Sequence, residues 1–123
     1  MNYRLIVIGT SLKGKSILTK YRILSETKFE AETPDESTMY KMEIPIKEVS
    51  VVSHFLKNNL KFPYYAHLYH EDPNENALIV VFSGQVFNTS KDNPKDAIEY
   101  GIQHGVSKEQ MDMKPRNIAE EKW

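Results

Sequence analysis

Apolar residues along this chain fall into short blocks with two different periods. "YRLIVIGTS" (3–11) reads as a strand that closes at a glycine. "SILTKYRIL" (16–24) fits both periods. As a helix it puts Ile17, Tyr21 and Leu24 on one face. As a strand it alternates Ile17, Thr19, Tyr21 and Ile23 against Leu18, Lys20, Arg22 and Leu24. "TMYKMEIPI" (38–46) reads as a third strand ending at Pro45. In "PIKEVSVVSHFLKNNL" (45–60) the residues Ile46, Val49, Val52 and Leu56 recur at helical spacing, with Phe55 beside them and Pro45 suited to the first helical position.

The second half repeats the alternation. "FPYYAHLYH" (62–70) is a strand rich in aromatic residues, and "EDPNEN" (71–76) has the composition of a turn. "ALIVVF" (77–82) and "QVFNT" (85–89) predict a hairpin around Ser83-Gly84, with Gly84 supplying a positive φ. "ALIVVF" is apolar on both faces, which places it inside a sheet. "NPKDAIEYGIQHG" (93–105) predicts a helix capped by Asn93, with Pro94 first and Gly105 ending it in the left-handed conformation. "VSKEQM" (106–111) has capping-box spacing between Ser107 and Gln110 and starts a further helical turn.

The element order is three strands, a helix, three strands and a helix. Strand runs joined by short turns predict an α+β fold with an antiparallel or mixed sheet of about six strands, the two main helices packed on one face. At 123 residues the chain is expected to form a single domain over 1–123. The acidic stretch 30–38 reads as a flexible loop and 114–123 as a loosely ordered tail.

Charge and composition narrow the chemistry. The chain has no cysteine, which removes disulfides, thiol nucleophiles and thiolate metal ligands. The N-terminal stretch lacks the build of a secretory signal, and no apolar run reaches membrane-spanning length, so a cytoplasmic protein with no membrane partner is expected. Net charge is −1, but residues 1–30 carry a balance of +4 (Arg4, Lys13, Lys15, Lys20, Arg22 and Lys28 against Glu26 and Glu30) and the remainder a balance of −5. The two parts attract each other in the fold, or the basic part steers an anion.

"GTSLKGKS" (9–16) fits G-x-x-x-x-G-K-[ST] and resembles the phosphate-binding loop of nucleotide-hydrolysing enzymes. The resemblance implies that backbone N–H groups wrap phosphates, that Lys15 reaches the outer ones and that Ser16 holds Mg²⁺. It covers eight residues and the strand before them. The wider context of such a loop, a parallel sheet and a second strand ending in Asp, is missing from the sequence. The turn interpretation uses more residues. With Lys13-Gly14 at a hairpin tip, Ile8 pairs with Thr19 and Ile6 with Tyr21, and Ile6, Ile8, Ile17, Tyr21 and Ile23 form one apolar face. The other face of that hairpin carries Lys20 and Arg22, which with Lys13 and Lys15 suit contact with nucleic-acid phosphate.

In "PYYAHLYHED" (63–72), strand alternation puts Tyr65, His67 and Tyr69 on one side and Tyr64, Ala66, Leu68 and His70 on the other. His67 and His70 therefore point apart, and no metal site is expected; His70, Glu71, Asp72 and His104 would make at best a weak loop site. The Tyr65-His67-Tyr69 stripe combines amphipathic rings with a group that titrates near neutrality. Its plainer role is packing beneath a helix. His104 sits where a helix dipole favours a cation, and His54 lies within the first helix. No nucleophile elbow is present, and Glu48, Glu71, Asp72, Asp96 and Glu99 read as solvated or capping groups.

The stretch from "FPYYAHLYHEDPNENALIVVFSGQVFNTS" through "DAIEYGIQHGVSKEQMDM" is similar to the C-terminal halves of short prokaryotic proteins of unassigned activity. Tyr65-Ala66-His67, "LIVVF", Phe87, "AIEYG", Gly105, Gln110 and Asp112 carry the resemblance. It covers about half the chain and implies only that the hairpin, the final helix and "PYYAH" form one unit.

The sequence thus points to a non-catalytic binding or regulatory module with no cofactor. Its surface would be Tyr65, His67 and Tyr69, and its partner a protein or a small anionic ligand. A nucleotide-binding enzyme using Lys13, Gly14, Lys15 and Ser16 is the first alternative. Nucleic-acid binding through the basic hairpin, with Lys20 and Arg22, is the second.

Overall fold

The "RLIVI" run becomes an inner strand because both its sides find neighbours. In the computed structural model, which describes residues 2–29, 37–62, 64–72 and 74–105, strand β1 (Asn2–Ile8) pairs antiparallel with β3 (Ser37–Pro45) on one side and β4 (Tyr65–His70) on the other. β2 (Arg22–Phe29) lies outside β3, while β5 (Ala77–Phe82) and β6 (Gln85–Ser90) continue from β4. Among the described residues the result is one six-stranded antiparallel sheet in the order β2-β3-β1-β4-β5-β6. Its helices are α1 (Ile17–Lys20), α2 (Val49–Asn59) and α3 (Lys95–Gln103). This is the α+β architecture that the hydrophobic pattern predicts.

The pairings fix two interleaved crossovers. β1 and β2 run parallel with β3 between them, joined by residues 9–21. β3 and β4 run parallel with β1 between them, joined across one face by α2. Strands that run parallel cannot be joined by a tight turn, so both links must travel over the sheet.

The first link corrects the expected hairpin. Ile8 pairs with Met39 rather than Thr19, and Ile6 with Lys41 and His67 rather than Tyr21. Gly9–Ser11 form a 3₁₀ turn, Ile17–Lys20 a helical turn, and Gly14 keeps a negative φ. The cause is burial. A tip at Lys13-Gly14 would leave Leu12 in water, whereas here Leu12 and Ile17 are buried beneath the sheet and Leu12 bridges to Leu60. Full burial of such side chains stabilises by about 1.5–3 kcal/mol each. The basic outer hairpin face considered for nucleic acid therefore does not form. Lys13, Lys15 and Lys20 are exposed on the crossover, and exposed Arg22 opens β2.

The helices also divide differently from the expectation of one shared face. Leu5, Val7, Met42, Ile44, Ala66, Leu68, Ile79 and Val81 pack against Val49, Val52 and Leu56 of α2. The opposite face gathers Tyr69, Leu78, Val80 and Phe82 against Ala97, Ile98 and Tyr100 of α3. Every residue of β5 from Leu78 to Phe82 is buried, so both of its faces need a cover, and each helix supplies one.

Smaller features refine the expectations. Pro45 ends β3 opposite Asn2 instead of opening the helix, because a 3₁₀ turn at Ile46–Glu48 intervenes, and Ile46 is left exposed. Gly84 has φ +85° at the tip of the β5–β6 hairpin, and Gly105 has φ +96° after α3, both as the sequence requires. Asn93 makes no side-chain cap. Its N–H donates to Ser90 Oγ, and its carbonyl accepts from Thr89 Oγ1. The expected acidic loop lies outside the described residues except at Ser37 and Thr38, which begin β3, and the turn at 106–111 and tail at 114–123 lie wholly outside them.

Candidate functional site

The sheet face beneath α3 carries the most chemistry. Directly opposed residues of antiparallel strands point to the same side. The register therefore aligns Ser25, Lys41, Ile6, His67, Val80 and Phe87 in one row across all six strands. The neighbouring row runs Arg22, Glu43, Arg4, Tyr69, Leu78 and Thr89. β4 thus presents Tyr65, His67 and Tyr69 side by side, as its alternation predicts.

The three rings form a ladder. Tyr65 and His67 have ring centroids 6.5 Å apart at 27°, and His67 and Tyr69 6.2 Å apart at 29°. Tyr65 also meets Phe82 at 5.8 Å, and Phe82, Phe87 and Tyr100 complete an aromatic cluster with α3. Tyr69 is buried, with Lys91 Nζ 5.7 Å from its ring centroid. Tyr65 and His67 keep partial exposure, so the ladder opens to solvent at that end.

His67 is the most perturbed group on this face. Removal of its surrounding water disfavours the imidazolium and lowers its pKa to about 4. At neutral pH it is an uncharged ring, one nitrogen donating and the other accepting.

Two cations that sequence reasoning passed over share this face. Lys41 is only 2 % exposed, deep in the sheet and separated from His67 by Ile6 alone. Arg4 stands opposite Tyr69. In the adjacent row Arg22 and Arg4 flank Glu43, which accepts a hydrogen bond from Asn2 Nδ2 at 2.8 Å. The signal was present in the sequence. Arg4 and Lys41 each interrupt an otherwise apolar or alternating strand, and a charge inside a strand pattern marks a position worth questioning.

The other titratable residues have structural tasks. His70 points to the α2 face, its ring tilted at 59° to that of Tyr3 with centroids 5.2 Å apart, and accepts the Asp72 N–H at Nδ1. His104 stacks on Tyr100 at 4.0 Å, and its Nδ1–H donates to the Tyr100 carbonyl at 2.8 Å, closing the end of α3. His54 is exposed on α2. Glu71 accepts the Asn2 N–H, Glu48 accepts the Tyr21 hydroxyl, and Glu99 lies 3.9 Å from Lys95 on the exposed side of α3. Among the described residues no three His, Asp or Glu converge as metal ligands.

Gly9–Ser16 leaves an inner strand and enters a helical turn at Ser16, as a phosphate loop does. It is also strapped down. The Lys13 N–H donates to the Asn59 carbonyl, the Lys61 N–H to the Ser11 carbonyl, and the Ser11 hydroxyl to the Ile8 carbonyl. A Cβ on Gly9 would lie 2.9 Å from the Tyr40 ring, so this glycine serves close packing. A separate cavity of about 110 Å³ lies between α1 and α2, on the face away from His67.

Comparison with known proteins gives no matching family, no similar curated protein and no similar solved structure. The likeness to short prokaryotic proteins finds no counterpart there. Gln110 and Asp112, which contributed to it, lie outside the described residues. Among the described residues no helix is long and apolar enough to cross a membrane.

Proposed function

We propose that this chain is a non-catalytic binding module of the cytoplasm whose working surface is the sheet face bearing Tyr65, His67 and Tyr69, and that its ligand is a small anion. The observation that carries this reading is the ladder of Tyr65, His67 and Tyr69 rings, which stays partly open to solvent at Tyr65 and His67. Exposed Arg22, at the β2 end of the adjacent row, favours an anion over a cation. The neutral imidazole adds a directional donor, and the half-open Tyr65 ring adds an apolar wall.

Titration of ¹⁵N-labelled protein with inorganic phosphate, citrate and AMP tests this. The expected result is saturable amide shifts at Tyr65, His67 and Tyr69 with at least one anion, weakened in His67→Phe. Absence of shifts on this face with all three anions overturns the reading.

A second reading is favoured by one specific observation: Gly9–Ser16 links two strands that run parallel and leads into α1. Under it the loop binds a nucleotide, and Mg·ATP or Mg·GTP shifts the amides of Gly9 to Ser16 in a Mg²⁺-dependent manner that Lys15→Ala abolishes. The same labelled sample separates the two readings by where the shifts fall.

A further inference from the structure

We propose that the cavity between α1 and α2 is a second binding site, for a small branched-chain carboxylate. The site lies on the opposite side of the sheet from His67 and does not depend on the function proposed above.

Its depth is apolar. Ile17 is 3 % and Val52 1 % exposed at the floor, and Phe55 and the Tyr21 ring form the walls. The Tyr21 hydroxyl is already engaged, donating to Glu48 Oε1 at 3.1 Å, so the tyrosine offers its ring rather than its polar tip. Among the described residues at this depth only the engaged Tyr21 hydroxyl is a polar side-chain group, so burying a polar group here would cost free energy.

The mouth is different. Ser16 and Lys20 stand there, and Lys20 Nζ is 5.5 Å from the Tyr21 ring centroid, which holds the ammonium beside the opening. The Glu48 carboxylate lies on the Tyr21 side, so an incoming carboxylate is directed toward Lys20 and Ser16. Val51, 59 % exposed, forms the outer lip. An apolar floor with a cation at the rim calls for a ligand with an apolar body and one negative end.

Volume sets the size. At about 110 Å³ the cavity is smaller than an apolar cavity of roughly 150 Å³ that accepts benzene. It is well below the roughly 300–1,000 Å³ of a drug-sized pocket. A branched chain of about four carbons fills it, with the acid left at the rim. A nucleotide or a polyphosphate is both too large and too polar for it.

Isovalerate is the probe, observed by methyl and amide NMR on the full chain, with acetate and isovaleramide as controls. Saturable shifts at Ile17, Val52 and Phe55 are expected with isovalerate, and none with acetate. Isovaleramide should bind more weakly. Lys20→Gln should weaken isovalerate by up to about fivefold, the range of an exposed ion pair. Val51→Trp, a change at an exposed lip that leaves the core intact, should block binding. No saturable shift at these residues overturns the proposal. So does equal binding of acid and amide with no effect of Lys20→Gln, and so do shifts confined to the His67 face.

Discussion

Lys41 and His67 lie in one register row on the same face of the sheet, with only Ile6 between them. Strand spacing alone puts their Cα atoms roughly 9–10 Å apart. One group is a buried cation and the other an imidazole kept neutral by desolvation.

The neutral imidazole has a pH signature. Its folded pKa of about 4 lies below the roughly 6.5 of an unfolded histidine. Between those values the unfolded chain binds the proton and the folded chain does not, so stability falls as pH drops through this window. Above it His67 adds no pH dependence, and below it the loss is complete. The full shift corresponds to about 3 kcal/mol, and the partly open ring edge makes the real cost smaller. Urea unfolding of wild type and His67→Phe across this range checks it. The variant should lose less stability than wild type on acidification; parallel curves would show that the ring is not desolvated.

The Gly9–Ser16 crossover is held by its apolar residue rather than by its lysines. Leu12 is 1 % exposed in the core, whereas Lys13 and Lys15 stand in solvent. Leu12→Ala should cost about 2–5 kcal/mol. Lys15→Ala should stay within about 0.5 kcal/mol of wild type. Denaturant midpoints read both, and a large loss in the lysine variant would refute this account of the loop.

Two glycines are required for different reasons. At Gly84, φ is +85° and a Cβ would meet nothing within 4 Å, so strain is purely conformational. Gly84→Ala should cost about 1 kcal/mol and Gly84→Asn less. At Gly9 φ is ordinary, but a Cβ would sit 2.9 Å from the Tyr40 ring. Gly9→Ala should cost about 1–3 kcal/mol, and much less in a Tyr40→Ala background. A double-mutant cycle measured by thermal unfolding separates the two causes.

Lys91 closes the β4–β5 turn. Its Nζ donates to the His70 carbonyl at 2.8 Å and the Asp72 carbonyl at 3.3 Å, beside the Tyr69 ring. Desolvation lowers its pKa, against the opposing pull of Asp72 and Glu75. Lys91→Met keeps the stem and removes the donors, and should cost about 1–2 kcal/mol. Hydrogen exchange should show faster opening at Glu71, Asp72, Asn74, Glu75 and Asn76 in the variant. Unchanged exchange there would mean that the ammonium is not what holds the turn.

The sequence by itself determined the local elements and the side of each strand on which a residue falls. The helix at 49–59, the hairpin at Gly84 and the alternation of Tyr65, His67 and Tyr69 follow from short-range periodicity and backbone sterics, which neighbours a few residues apart dictate. Tertiary structure decided which strands are neighbours. β1 joins β3 and β4 rather than β2, because burying Leu12 and Ile17 under the sheet outweighs the shorter link of a hairpin. That choice brought Arg4 and Lys41 onto the face of His67, both from the β1 side of β4, a relationship no local pattern encodes. The placement of α3 was half legible: a strand apolar on both faces, "ALIVVF", demands a cover on each, and only packing showed which helix supplies which.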